Sequence, residues 1–161
     1  MTNETQKEQK ITTFLWFDHE AEEAANFYVS LFKNSKIIEV RHYPKGGPMP
    51  DNTVMTVTFS LEGQEYIALN AGPHFKFNEA ISLFVKCDSQ EEVDHFWYSL
   101  TADGGQESQC GWLKDKYGLS WQIVPKALDK AMGNPDREQA ARSMKAMMTM
   151  KKIDINGILN A

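Results

Sequence analysis

At 161 residues, 42% hydrophobic and 11% aromatic, the chain can bury a sizeable core and lies far from disordered compositions. A net charge of −5 supplies no basic footprint for phosphate backbones, which excludes nucleic acid as a partner. No apolar run reaches the roughly 18 residues that cross a bilayer, so no membrane role is expected. Cys87 and Cys110 are too few for a disulfide framework, so a cytoplasmic protein with reduced thiols is expected.

Residues 1–10 are polar and read as a disordered lead-in. A strand is predicted over 11–17, followed by a helix at 22–31, where Ala24, Phe27, Tyr28 and Leu31 recur at helical spacing. Asp18 or His19 is placed to cap that helix, and Glu22 and Glu23 suit the positive end of its dipole. Strands are predicted at 36–43 and 53–61. The second alternates Met55, Val57, Phe59 and Leu61 with Thr56, Thr58 and Ser60, the period of a half-buried strand. A turn at Glu62 and Gly63 then makes a hairpin with 64–70.

The same opening returns 69 residues later (22 to 91). EEAANFYVSL at 22–31 is echoed by EEVDHFWYSL at 91–100, behind a strand at 80–87 and a cap from Asp88 or Ser89. Gly104 and Gly105 break the chain, a strand near 107–112 follows, and a turn at 114–118 leads to a last strand at 119–124. Beyond Pro125, helices are predicted at 127–132 and 136–150, with Met144, Met147 and Met148 as a packing stripe. The duplication divides the chain into one domain at 11–125, made of repeats 11–71 and 79–125, and a helical extension at 126–161.

FDHEAEEAANFYVSLF at 17–32 and GWLKDKYGLSWQIVP at 111–125 resemble the opening and closing motifs of the PhnB-like branch of the vicinal-oxygen-chelate superfamily. This is the glyoxalase/bleomycin resistance/dioxygenase group, and its branch often carries the label 3-demethylubiquinone-9 3-methyltransferase. The resemblance spans about 11–125 and implies an α+β fold of two βαβββ-type modules with a C-terminal helical extension. It also implies a homodimer and a ligand cleft on the sheet face away from the helices. Enzymatic relatives place His, Glu or Gln there, usually four, around a divalent metal.

Strand alternation puts Ser82 and Phe84 on that face. The 69-residue offset maps them onto Thr13 and Leu15, and aligning Gly63 with Gly118 sets Ile67 beside Gln122. The metal positions then read Thr13, Ile67, Ser82 and Gln122, and a slip in register would offer Thr12, Ala68 or Ile81 instead. Only Gln122 could ligate, and one neutral amide does not hold a divalent ion against water. No metal and no cofactor are therefore expected.

Gly46 with Gly47, and Gly104 with Gly105, do not stand between a strand and a helix, so the glycine-rich turn of a typical methyltransferase is missing. A small-molecule pocket is expected from Thr13, Leu15, Ser82, Phe84, Trp112 and Gln122, with the Trp112 ring closing over a ligand. The first functional reading is metal-independent binding of a small molecule. The alternative is an enzyme of the glyoxalase, isomerase or dioxygenase type with a displaced site, using Cys110, His74 and Glu65. Cys110 has no His–Asp partner in the sequence and reads as an inert thiol. A third, interaction-only role would leave the cleft filled.

Overall fold

A computed structural model describes residues 8–161 and forms two compact units, one ending at Lys76 and one running from Phe77 to Ala161. The lead-in expected at 1–10 lies, up to residue 7, outside the described residues. Gln9 is tied down: its amide donates to the carbonyl of Glu65 at 3.1 Å and accepts from the Glu65 N–H at 3.0 Å.

The first unit is a βαβββ module of β1 (Thr13–Phe17), α1 (Ala21–Leu31), β2 (Lys36–His42), β3 (Val54–Leu61) and β4 (Gln64–Asn70). Its sheet runs β1-β4-β3-β2, with β1 parallel to β4 and the other pairs antiparallel. The β3–β4 turn uses left-handed backbone at Glu62 (φ 48°) and Gly63 (φ 82°), the twist a tight hairpin needs. Tyr28 of α1 sits 6.2 Å from Phe59, which stacks on Tyr66 at 5.5 Å, so α1 covers the face carrying these rings. Leu15, Phe17, Val57 and Ala68 complete that core. Each fully buried large side chain contributes about 1.5–3 kcal/mol.

The second unit repeats the plan with β5 (Ser82–Cys87), α2 (Gln90–Thr101), β6 (Gln106–Glu107), β7 (Trp112–Lys114) and β8 (Ser120–Pro125), ordered β5-β8-β7-β6. Val93, Trp97 and Leu100 of α2 are buried with Leu113, Trp121 and Ile123 of the sheet. The strand expected near 107–112 is instead two short strands, β6 and β7, separated by a loop at 108–111. Cys110 (φ 56°) and Gly111 (φ 84°) turn the chain left-handed there. Gly111 is also required by space, since a Cβ would lie 2.8 Å from the carbonyl of Ile123.

The extension adds α3 (Lys126–Met132), α4 (Arg137–Met147) and α5 (Ile155–Leu159), packed around Leu128, Ile153, Ile158 and Val124. It is bonded to the βαβββ module of the same unit. The N–H groups of Cys110 and Gly111 donate to the carbonyls of Met150 and Lys151, both at 2.8 Å, and Gln90 clamps the Ile153 carbonyl and the Ile155 N–H. The methionine stripe is corrected: Met147 packs on the cluster, but Met144 and Met148 are exposed, because the inward face of α4 carries Ala140, Ser143 and Met147, and Met148 lies past the helix end. Among the described residues no helix is long and apolar enough to cross a membrane.

Candidate functional site

In each unit the helix covers one sheet face and leaves the other open, and register decides which side chains share the open face. In the second unit Ser82, Ser120 and Lys114 form one cross-strand row, and Phe84, Gln122 and Trp112 form the next. Adjacent strands lie about 4.8 Å apart, so Phe84 and Trp112 flank Gln122 at roughly 9–10 Å from each other. Phe84 is exposed, and Trp112 and Gln122 are half-buried. The Gln122 amide donates to the Ser82 hydroxyl at 2.9 Å, which fixes its orientation. Four of the six residues expected to form a pocket, Ser82, Phe84, Trp112 and Gln122, thus share one face.

Thr13 and Leu15 do not share the equivalent face of the first unit. Thr13 pairs with Tyr66 and Leu15 with Ala68, and both stand on the face that α1 covers; Leu15 is 4% exposed. The open face carries Phe14 and Trp16, with Ile67 and Leu69 beside them on β4. The physical reason is one extra residue between strand and helix. Three residues, Asp18, His19 and Glu20, link β1 to α1, whereas two, Asp88 and Ser89, link β5 to α2. The helices repeat at an offset of 69 and the strands at 70, and a one-residue shift moves a strand side chain to the opposite face. Trp16 donates its indole N–H to the Gly72 carbonyl at 2.9 Å and meets Phe75 edge-on at 4.9 Å.

The catalytic candidates stand apart from any network. His74 is exposed in the segment after β4, beside Gly72, and Glu65 is held through its backbone by Gln9. Among the described residues no hydrogen bond or ion pair joins Glu65 to His74. Cys110 is half-buried in the left-handed loop, and Cys87 is buried, its thiol pushed up to about 12 by burial, then by the charges of Glu92 and Asp88.

The open face of the second unit leads into a cleft of ≈ 360 Å³ lined by Glu79, Trp112, Lys114 and Ser120, with Glu107 and Gln106 at its edge. Lys114 forms an ion pair with Glu79, and its ammonium, as hydrogen-bond donor, holds the Glu79 carboxyl below the usual range. Glu107 is engaged by the Trp97 indole N–H at 2.9 Å, with Lys151 3.7 Å away. Ser120, 1% exposed, has a buried hydroxyl without a hydrogen-bond partner. Sequence reasoning missed Ser120 and Glu79, because nothing local distinguishes a buried serine in a strand from an exposed one. A larger hollow of ≈ 720 Å³ in the extension, lined by Lys126, Lys130 and Ser143, has no such orphan: the Ser143 hydroxyl donates to the Ile158 carbonyl at 3.2 Å.

The closing motif is structural. Buried Asp115 accepts from the N–H groups of Tyr117 (2.9 Å) and Leu119 (3.1 Å) and from the Trp121 indole (2.9 Å), tying the β7–β8 turn. The four positions expected to hold a divalent metal do not fit one. Thr13 stands on the face that α1 covers, Ile67 offers no donor, and Ser82 and Gln122 are neutral and share one hydrogen bond. Among the described residues no three His, Cys, Asp or Glu side chains gather to hold a metal. None of the three strand–helix junctions, β1–α1, β5–α2 and β8–α3, contains a glycine, so the turn that seats the methyl donor in a typical methyltransferase has no counterpart at them.

Two βαβββ modules with helix-free faces define an α+β protein of the vicinal-oxygen-chelate fold. Residues 9–124 match the family model described as 3-demethylubiquinone-9 3-methyltransferase, and the chain belongs to that PhnB-like family. A PhnB protein from Bacillus cereus, a suggested 3-demethylubiquinone-9 3-methyltransferase, is 41% identical over 73% of this chain and 99% of its own, with a TM-score of 0.67. Protein PA1353 from Pseudomonas aeruginosa shares the fold at 16% identity, covering 73% of this chain and 98% of its own, with a TM-score of 0.60. A glyoxalase/bleomycin resistance protein from Albidiferax ferrireducens matches at 14% identity over 68% and 92%, with a TM-score of 0.46. Among curated proteins none matches.

Proposed function

We propose that this protein binds a small, partly aromatic molecule on the open face of its second module, without a metal. The observation that carries the reading is the row Phe84, Gln122, Trp112: two rings flank an oriented amide, next to a cleft of ≈ 360 Å³. Rings supply apolar area with few rotors to freeze, and a fixed amide supplies direction. In the first module, Phe14 and Ile67 stand where Phe84 and Gln122 stand in the second, so an apolar side chain takes the place of the amide. Two further elements belong to the proposal. The compartment is the cytoplasm, consistent with free thiols at Cys87 and Cys110, and the macromolecular partner is a second copy of this chain.

The test uses the neutral fluorescent probe N-phenyl-1-naphthylamine on tag-free protein with metal content measured alongside. Saturable binding at one site is expected, weakened about tenfold by Phe84→Ala or Trp112→Ala. Metal is expected below about a tenth of an equivalent, with melting unchanged by chelator. Binding indifferent to both substitutions, or one equivalent of metal whose removal destabilises the fold, sinks the reading.

A further inference from the structure

The cleft beside this row contains one polar group that the fold leaves unused. The Ser120 hydroxyl is buried and unpartnered, and a hydroxyl in that state costs free energy until something bonds to it. Ser120 lies directly across from Lys114 in the β7–β8 ladder, so their side chains leave the same face with Cβ atoms about 5 Å apart. The Lys114 ammonium is engaged by Glu79, a carboxylate 64% exposed on the segment preceding β5. An ion pair with so exposed a member contributes little and is readily exchanged.

We propose that the cleft takes an aromatic monocarboxylate, whose carboxylate replaces that of Glu79 on Lys114 and accepts a hydrogen bond from Ser120. This rests on the binding reading above and names the ligand class for the same face. Glu79 is then a placeholder supplied by the protein itself, marking where a carboxylate sits. The Trp112 ring, which lines the same cleft, gives the apolar body of the ligand a surface to lie on. A phosphate monoester fits less well. The cleft lining supplies one cation, Lys114, and a second carboxylate, Glu107, which would oppose a second negative charge.

The probes are 2-naphthoate and its neutral isostere 2-naphthamide, titrated by calorimetry at one ionic strength. Naphthoate is expected to bind at least about tenfold more tightly than naphthamide. Lys114→Gln should abolish that difference, and Ser120→Ala should reduce naphthoate affinity about fivefold, the worth of one hydrogen bond. Glu79→Gln should strengthen naphthoate binding about threefold or more by removing the competing carboxylate, an effect that a purely structural ion pair would not produce. Unchanged circular dichroism and melting identify variants that fold. Equal binding of both probes overturns the carboxylate assignment and leaves the cleft as a binding site. Weaker naphthoate binding by folded Glu79→Gln overturns the placeholder role, and unchanged naphthoate binding by folded Ser120→Ala overturns the hydroxyl's part. Absence of binding by both probes, together with failure of N-phenyl-1-naphthylamine to bind, overturns the binding reading itself.

Discussion

The two modules share one plan but are held together at different ranges of the chain. In the second, the entry to α2 is local: the Ser89 hydroxyl accepts from the Glu92 N–H at 3.2 Å, while the Glu92 carboxylate accepts from the Asp88 N–H at 2.6 Å. In the first, neither Asp18 nor His19 caps α1. Glu20 stands at the cap without a side-chain bond, and the first helical N–H, that of Ala21, is satisfied by Asn70 at 2.8 Å from the end of β4. Asn70 also donates to the Val54 carbonyl at 3.1 Å, and its own carbonyl accepts from the Tyr43 hydroxyl at 2.6 Å. The longer junction of the first module is tolerated because a distant, buried side chain replaces the local cap.

The hairpins differ in the opposite sense. In the first module β3 and β4, of 8 and 7 residues, pair along their length through a tight turn. In the second, β6 and β7 have 2 and 3 residues, too few ladder bonds to hold a sheet edge by themselves. Asp115 and the C-terminal extension supply the missing ties. Local devices are strong where distant ones are few, and the reverse.

The largest effect expected from this contrast is at Asp115. Asp115→Ala leaves the Trp121 indole and two backbone N–H groups without their acceptor and should cost about 3 kcal/mol in urea unfolding. A loss under about 1 kcal/mol would mean that the short strands stand without it. Next come the two caps. Asn70→Ala should cost about 2 kcal/mol and Ser89→Ala about 1 kcal/mol, since the first loses two long-range side-chain bonds and the second one local bond. Equal losses would break the distinction between distant and local capping. The smallest effect concerns the strand position that Phe17 occupies in the first module and Cys87 in the second. With its thiol pushed up to about 12, Cys87 presents roughly one thiolate in ten thousand at pH 8. Native protein should therefore expose one thiol to a disulfide reagent, Cys110, and two after denaturation; rapid reaction of both in native protein would show that the β5 position opens.

Much of the architecture was legible in sequence. The duplicated helix segments, the alternation of 53–61 and the Glu62–Gly63 turn specify the first module closely, and 64–70 was placed on the residues that β4 occupies. The second module's middle strands were less legible because 2 and 3 residues carry no period. The candidate site divided along the same line. Ser82, Phe84, Trp112 and Gln122 came together on one face, because alternation within a strand is a local property. Thr13 and Leu15 did not, because carrying a face from one module to the other required an offset that a single inserted residue changes.

The sequence by itself determined the repeat, the two modules, the helical extension and the family, since each rests on patterns a few residues long or on a motif. Only the tertiary structure decided that Asn70 caps a helix 49 residues earlier, that the Ser120 hydroxyl is buried without a partner, and that Glu79 lies on Lys114. Those facts depend on which distant groups meet and on what water is kept away from, and neither is encoded in the spacing along the chain.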